Sequence, residues 1–175
     1  MIRAARAEDA LGVMEIYAPF CLNSATTFEV VPPSIDEMQR RMAAITKTHP
    51  WLVCEENGEI LGYAYGCAHK ERAAYRWSCD VAIYLAEKAR GKGVGTMLYT
   101  ELFRQLRELG LYNAYAGVTL PNAASVALHE KLGFKPVGVY KNVGYKLGKW
   151  HDVGWWHLIL KEHDQEPDEP SRFQS

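Results

Sequence analysis

Four stretches of the chain have apolar residues at helical spacing, which predicts four helices. We expect Pro19 to stop or bend the first of them, and Ser34 with Glu37 to form a capping box at the start of the second. The third has an apolar stripe on one face, so this helix should lie against a sheet. The predicted helices cover residues 11–17, 35–45, 95–109 and 121–132, and the stripe consists of Leu98, Leu102, Leu106 and Leu109.

Seven further stretches are rich in apolar and β-branched residues and predict strands. Asn57-Gly58 separates the second stretch from the third and is a strong hairpin signal. The last two stretches should be joined by a turn region at residues 148–152. The predicted strands cover residues 2–6, 51–55, 60–67, 75–85, 111–118, 134–145 and 155–160, which gives the order βααβββαβαββ.

Two segments lie outside this pattern. Residues 23–33 form a long loop of polar and β-branched residues, and a loop of this length in a compact domain is often functional. From Lys161 onward the chain is polar and contains two prolines, so we expect a loose tail there. The chain has 175 residues, the length of one ordinary domain. We assign residues 1–162 to that domain and residues 163–175 to the tail.

Composition and charge remove several classes of function. A formal net charge of −1 leaves no basic surplus for phosphates, so we expect no nucleic-acid partner. The four cysteines include no Cys-x-x-Cys pair and no histidine at zinc-finger spacing, which favours reduced thiols and no metal site. No apolar run approaches the roughly 20 residues of a membrane helix, and the amino terminus has no apolar leader. We therefore expect a cytoplasmic protein with no membrane partner.

The candidate chemistry is concentrated between a predicted strand and a predicted helix, in Arg90-Gly91-Lys92-Gly93-Val94-Gly95. Glycines let backbone N–H groups turn toward a ligand, and the helix start adds unpaired N–H donors and the positive end of the helix dipole. The side chains of Arg90 and Lys92 add positive charge. This glycine loop, residues 90–95, therefore predicts a site for a phosphate-bearing ligand.

Spacing separates the glycine loop from two other phosphate motifs. A P-loop needs Ser or Thr directly after Gly-Lys, but here Gly93 follows Lys92. A dinucleotide fingerprint needs a glycine where Thr96 stands, and the next predicted strand, residues 111–118, contains no acidic residue. A glycine turn that only caps the following helix is the structural alternative, and the loop alone leaves that alternative open.

The pattern Arg-x-x-Gly-x-Gly in the glycine loop resembles the acetyl-CoA pyrophosphate loop of the GNAT acetyltransferase superfamily. Residues 120–134, Leu-Pro-Asn-Ala-Ala-Ser-Val-Ala-Leu-His-Glu-Lys-Leu-Gly-Phe, are similar to a second element of that superfamily, in the correct order along the chain. The resemblance implies an α/β fold, the GNAT fold, with a central mixed, mostly antiparallel sheet of six to seven strands flanked by about four helices. It also implies acetyl-CoA as the co-substrate.

Three further stretches resemble the phosphinothricin and methionine sulfoximine N-acetyltransferase group within that superfamily. They are residues 25–29, residues 75–78 and residues 144–156, of which the last is the most specific. Members of the group acetylate the α-amino group of small amino-acid analogues, so the resemblance implies this class of substrate. The group is commonly dimeric, which implies a homodimer.

The resemblance also implies which residues bind CoA. The glycine loop would hold the diphosphate, and the backbone at the end of the preceding strand would pair with the pantetheine amides and polarise the thioester carbonyl. Asn122 resembles the superfamily's CoA-contacting asparagine, although an asparagine at this position can also simply cap a helix. The predicted cofactor-binding residues are Ala82, Ile83, Tyr84, Arg90, Gly91, Lys92, Gly93, Val94, Gly95 and Asn122.

Two residues are candidates for proton transfer. Asp80 lies in an otherwise apolar strand, where a carboxylate is costly unless it faces a polar cleft, and it is our candidate base, either directly or through water. The phosphinothricin-type group generally has glutamate at this position, so the shorter aspartate puts direct contact in doubt. His129 resembles the residue that protonates the CoA sulfur in that superfamily. The structural alternatives are an ion-paired Asp80 and a half-buried His129.

A small amino-acid substrate needs a partner for its acidic group and an apolar wall. Arg76 is the predicted partner because guanidinium binds such groups bidentately, with Arg72 second. The predicted substrate-binding residues are Phe28, Glu29, Tyr75, Arg76 and Trp77, although the aromatic residues are equally plausible as core. Two alternative functions stay open: acetylation of a polyamine or a protein amino terminus, and a CoA-binding sensor without turnover.

Overall fold

A single sheet of seven strands organises the described part of the chain, residues 1–171 and 173 of a computed structural model. The strands are β1 (Ile2–Ala4), β2 (Trp51–Glu56), β3 (Glu59–Ala68), β4 (Ser78–Leu85), β5 (Asn113–Leu120), β6 (Lys135–Lys146) and β7 (Lys149–Ile159). The helices are α1 (Ala10–Asn23), α2 (Ile35–Ile45), α3 (Val94–Glu108) and α4 (Ala123–Lys131). The strand order in the sheet is β1-β2-β3-β4-β5-β7-β6.

The sheet is mixed, and β4 with β5 is the parallel pair among these strands. Every other pair of neighbours is antiparallel. Parallel neighbours cannot be joined by a tight hairpin, and α3 supplies the required crossover between β4 and β5. The predicted element order and the mostly antiparallel sheet are confirmed.

Helices cover both faces of the sheet because the strands alternate their apolar side chains. On β2, Leu52 and Cys54 belong to the core that α3 completes, whereas Trp51 and Val53 belong to the core beneath α1 and α2. The leucine stripe predicted for α3 is buried, as expected. No helix in the described residues is both long enough and apolar enough to cross a membrane.

Local signals explain where α2 begins. The Ser34 hydroxyl oxygen accepts a hydrogen bond from the Glu37 backbone N–H at 3.2 Å, which satisfies one of the unpaired donors of the first turn. The Glu37 carboxylate instead accepts from Arg41 at 2.9 Å. Only half of the predicted capping box is therefore formed.

Three predicted boundaries differ from the structure by more than two residues. Helix α1 continues through Pro19 to Asn23, so Pro19 does not stop it. Residues 73–75 form a short 3-10 turn, and β4 begins only at Ser78. Strand β7 begins at Lys149 rather than at residue 155, which places the turn of the last hairpin at residues 147–148.

The C-terminal segment contacts the domain, where the sequence suggested a loose tail. The Trp77 indole N–H donates to the Asp168 carbonyl at 2.8 Å, and the Ser171 backbone N–H donates to the Leu109 carbonyl at 2.8 Å. Phe173 packs against the core beneath α3. These contacts place the segment beside the beginning of β4 and the end of α3.

Candidate active site

The central feature of the site is a split in the sheet between β4 and β5. These strands pair only at residues 78–80 with residues 113–115, and Asp80 opposite Tyr115 is the last pair. Beyond it, residues 81–85 and 116–120 continue as strands without pairing to each other. Backbone N–H and C=O groups that face the split therefore have no strand partner there, and a ligand with amide groups could pair with them.

The glycine loop lies at the open end of the split. A Cβ added at Gly95, in the first turn of α3, would contact Leu85 at 3.4 Å and Ile83 at 3.6 Å. Gly91 and Gly93 have φ of +73° and +81°, in the left-handed region that favours glycine. No heavy atom comes within 4 Å of a Cβ built at either position, so the space above both glycines is open.

This geometry fits a diphosphate. Open backbone at the N-terminus of a fifteen-residue helix presents N–H donors and a positive dipole end. The Lys92 side chain is exposed beside them, and the Arg90 guanidinium lies 5.4 Å from the centre of the Phe20 ring. The structure thus places Gly95, in the first turn of α3, beside the β4 side chains Ile83 and Leu85, and the backbone of Ala82 to Tyr84 lines the cleft.

The cleft is lined from both strands and both neighbouring helices. Its lining includes Thr26, Ala82, Tyr84, Thr119, Asn122 and His129. Asn122 caps α4, because its side-chain oxygen accepts from the Ser125 backbone N–H at 3.1 Å. Asn122 therefore is a helix cap, which was the structural alternative for this residue, and it also lines the cleft.

His129 is buried and tied to two partners. Its Nδ1 lies 2.7 Å from the Ser125 carbonyl oxygen, which fixes a proton on Nδ1, so Nε2 accepts from the Tyr99 hydroxyl at 3.1 Å. Burial lowers the pKa of His129, opposed by the hydrogen bond to Ser125. A neutral ring in this orientation has no transferable proton on Nε2. Tyr99, which also lines the cleft, was not predicted from the sequence.

Asp80 lies at the closed end of the split. Its carboxylate is 2.6 Å from Nδ1 of His69, and side chains at Asp80 and Ala82 project from the same face of β4. Burial raises the pKa of Asp80, and the hydrogen bond from His69 and the charges of His69 and Lys70 act in the opposite direction. No sequence pattern points to His69, because it stands in a charged loop without a motif.

The long loop at residues 24–31 reaches the same cleft. Thr26 lines the cleft, and the Thr27 hydroxyl is 2.7 Å from the hydroxyl of Tyr17 on α1. Phe28 packs against Gly144, where an added Cβ would overlap its ring. The Glu29 carboxylate accepts from Arg41 at 2.6 Å. The predicted residues Phe28 and Glu29 thus hold the loop rather than line the cleft.

A buried lysine fixes this loop to the last hairpin. Lys146 is 4% exposed, and its Nζ donates to the carbonyl oxygens of Phe20, Thr27 and Glu29 at 3.2, 2.8 and 2.7 Å. Three acceptors satisfy all three N–H groups of an ammonium. The charge is therefore hydrogen-bonded inside the domain, and the loop has a fixed course beside the cleft.

The three predicted substrate residues ahead of β4 separate into two places. Tyr75 contacts the His69 ring edge-on, with ring centres 5.7 Å apart, and so belongs to the Asp80 cluster. Arg76 instead forms an ion pair with Glu169 at 2.5 Å and stacks over Trp77 at 3.9 Å. Both residues precede β4 at the end opposite the split. The structure does not bring Arg76 or Trp77 to the cleft.

Within the described residues, no group of three or more His, Cys, Asp or Glu side chains is arranged to hold a metal ion.

Comparison with known proteins defines the family. Residues 2–155 match the model of the acetyltransferase (GNAT) domain. The chain therefore belongs to the GNAT N-acetyltransferase family.

Two curated relatives cover most of the chain. A phosphinothricin N-acetyltransferase from Streptomyces viridochromogenes is 36% identical over 155 residues, which are 89% of this chain and 85% of the relative. An L-methionine sulfoximine/L-methionine sulfone acetyltransferase from Salmonella typhimurium is 32% identical over 165 residues, 93% of this chain and 95% of the relative.

A crystal structure shows the same fold. The GNAT superfamily phosphinothricin acetyltransferase from Sinorhizobium meliloti, solved in complex with AcCoA, superposes with a TM-score of 0.93 at 36% identity. The match covers 100% of this chain and 98% of that one. The predicted GNAT fold is confirmed.

Proposed function

We propose that this protein transfers the acetyl group of acetyl-CoA to the α-amino group of a small amino-acid analogue, of the phosphinothricin, methionine sulfoximine or methionine sulfone type. The split between β4 and β5 carries the proposal, because a long ligand entering it meets unpaired backbone along its length and the glycine loop at its open end. The relatives and the solved structure are named for this activity and support the same class of acceptor.

Acetyl-CoA fits the cleft by its chemistry. Its diphosphate would lie over Gly91 and Gly93, where no side chain intrudes. Its pantetheine amides would pair with the β4 backbone from Ala82 to Tyr84, which lines the cleft. Backbone N–H groups at that edge would also polarise the thioester carbonyl during attack.

Direct attack by the amine suits this site better than a covalent acyl-enzyme. Cys67 pairs with Asp80 across β3 and β4, and Cys79, which directly precedes Asp80, is completely buried. Burial raises the pKa of Cys67 to about 11, so little of the nucleophilic thiolate exists at neutral pH. The amine therefore attacks the thioester itself, through a tetrahedral intermediate.

Deprotonation of the amine and protonation of the departing thiolate are assigned to opposite sides of the cleft. An α-amino group is mostly protonated at neutral pH and has to lose a proton before it attacks. Asp80, at the closed end of the split, is placed to accept this proton, either directly or through an intervening group. The departing thiolate takes its proton on the side of Tyr99 and His129, which line the cleft as a hydrogen-bonded pair.

The acceptor would enter beside the loop at residues 24–31 and the aromatic side chain of Tyr75. Lys70 is close enough to Asp80 for its charge to lower the pKa of that carboxyl group, so it also attracts a carboxylate or phosphinate on the acceptor. Arg76 could bind the acidic group of the acceptor only after its ion pair with Glu169 had broken.

Release of the CoA thiol from acetyl-CoA tests the proposal. We would use a panel of methionine sulfone, methionine sulfoximine, phosphinothricin, ordinary amino acids, spermidine and short peptides. We expect saturable turnover on the three amino-acid analogues and little on the other amines.

Each other outcome selects another function. Turnover only on spermidine or peptides would retain the chemistry and overturn the acceptor class. Saturable binding of acetyl-CoA without turnover on any amine would favour a CoA-binding sensor.

A further inference from the structure

The closed end of the split holds a fixed imidazole beside Asp80. Asp80 and Tyr115 form the last paired position of β4 and β5, so both lie where the cleft ends. The His69 ring stacks on Tyr115 with ring centres 4.7 Å apart, and Tyr75 contacts it edge-on. Trp155 also meets the ring edge-on, with ring centres 6.5 Å apart, and the side-chain exposure of His69 is 18%, so the packed ring still reaches solvent.

The hydrogen bond to Asp80 decides which ring nitrogen carries the proton. An ionised carboxylate only accepts hydrogen bonds, so the 2.6 Å contact places a proton on Nδ1 of His69. The lone pair of the neutral ring is then on Nε2. Within residues 1–171 and 173, Nε2 forms no hydrogen bond, so it is available to a ligand.

We propose that Nε2 of His69 accepts the proton of the substrate amine, and that Asp80 orients the ring and stabilises the imidazolium. This inference rests on the proposed acetyl transfer and names the atom that acts as its base. It removes the difficulty that an aspartate is too short for direct contact, because the imidazole extends the reach of the carboxylate. A base oriented by a third group is a general arrangement for activating nucleophiles.

Both protons that the substrate ammonium loses during acetyl transfer are accounted for. The substrate ammonium gives one proton to Nε2 of His69, the N–C bond to the acetyl carbon forms, and the C–S bond breaks. The second proton lost by the attacking nitrogen ends on the CoA sulfur. The imidazolium then releases its proton to solvent, so each turnover yields the amide, CoA thiol and one proton.

The other ionisable groups around the pair do not compete for this role. Lys70 carries positive charge and has no lone pair while protonated. The pKa values of Tyr115 and Cys67 are both raised by burial, with the Asp80 carboxylate as a second cause, so both stay protonated at neutral pH. Tyr75 contacts the edge of the His69 ring.

The test compares His69→Asn with the wild-type enzyme at saturating acetyl-CoA. The asparagine amide places a donor close to the position of Nδ1, so the bond to Asp80 is retained, but nothing replaces Nε2. We expect kcat on methionine sulfone to fall about 100-fold or more, as loss of a general base does. We expect the KM for the amine to change little and the acetyl-CoA affinity, measured by calorimetry, to be unchanged.

His157→Asn is the matched control. Its ring stacks on Tyr115 at 4.7 Å, as that of His69 does, but hydrogen bonds to Asn113 rather than to Asp80. We expect this variant to retain wild-type kcat. A kcat of His69→Asn close to the wild-type value would overturn the proposal, since a residue that merely holds Asp80 is replaced adequately by asparagine. Wild-type enzyme inactive on every amine would instead overturn the proposed function.

A double variant gives a second, independent test. Asp80→Glu lengthens the carboxylate by one methylene, so in the His69→Asn background it should reach toward the amine itself. We expect the kcat of His69→Asn/Asp80→Glu to be at least tenfold higher than that of His69→Asn.

If His69→Asn does not bind acetyl-CoA, His69→Ala is assayed with and without imidazole in the buffer. Restored turnover supports the proposal, and absence of restoration contradicts it.

Discussion

Burial lowers the pKa of three histidines, His49, His129 and His157. For His129 the environment explains this directly. The ring is 3% exposed, and its partners are a carbonyl and a tyrosine hydroxyl, with no carboxylate to favour the charged form. The folded state therefore holds this histidine neutral at a pH where the unfolded chain has begun to bind a proton.

The stability of the protein should accordingly fall as the pH decreases from 7.5 to 5.5. Unfolded histidine has a pKa of about 6.5, so across this range the unfolded state takes up protons that the folded state excludes. Each excluded proton lowers the free energy of unfolding by at most about 1.4 kcal/mol per pH unit. Urea unfolding at several pH values measures this slope, and His129→Gln should make it smaller. A slope of zero, or the same slope in the variant, would contradict the argument.

The glycine loop and Asp80 could be predicted as candidate site residues from the sequence alone. The side chains that hydrogen bond to the candidate site residues could not. The loop is local, because its glycines, charges and helix start are consecutive. The contacts of His69 with Asp80, Tyr99 with His129, and Lys146 with Glu29 join positions 11, 30 and 117 residues apart. Such contacts depend on strand register and helix rotation, which a sequence pattern does not specify.

At the scale of elements, the glycine loop and α3 act together. Backbone in the left-handed region at Gly91 and Gly93 turns the chain from β4 into α3 without a side chain above the helix start. An anion at this place is favoured by the N–H groups and by the helix dipole. A carboxylate at the same place would repel that anion and fill its space.

Gly93→Asp should therefore abolish measurable acetyl-CoA binding in calorimetry. Gly58→Asp is the matched control, because Gly58 also has a positive φ, +79°, and open space around its Cβ position. Both variants place the same charge on a glycine with positive φ, but only Gly93 is the N-cap of α3. We expect Gly58→Asp to bind acetyl-CoA as the wild type does. Equal affinity of the two variants would remove the diphosphate from the glycine loop.

Most elements could be predicted from periodicity, and the exceptions have physical causes. The start of β7 was missed because His151 is buried inside that strand, where its Nε2 bonds the Lys146 carbonyl at 2.9 Å, while the neighbouring Trp150 is 60% exposed. This reverses the usual alternation of apolar and polar positions. Helix α1 passes through Pro19 because one face of the helix, on both sides of that proline, is buried in the core, and packing outweighs local preference.

At the scale of the whole molecule, the two edges of the sheet differ. The β1 edge is three residues long, whereas β6 at the other edge has twelve residues and, among the residues that the structure describes, pairs only with β7. A long open edge strand presents unpaired N–H and C=O groups and invites pairing with another chain. Exposed apolar side chains cluster on this hairpin: Val137, Val139, Tyr140, Val143, Tyr145, Leu147 and Trp150. A concentration of exposed apolar side chains on one hairpin favours an interface with a partner.

We predict that a second copy of this chain covers the β6 edge, which would make the protein a homodimer. Val139→Lys places a charge in the middle of the edge and should yield a monomer of 19.8 kDa in light scattering after size-exclusion chromatography. Leu11→Lys is the control, because Leu11 is 47% exposed and lies in the first turn of α1, beside β1 and the β2–β3 turn rather than beside β6. We expect that control to retain the dimeric mass. A wild-type protein that stays monomeric at the highest concentration reached would show that the apolar edge serves some other contact, and a dimeric Val139→Lys would place the interface on another face.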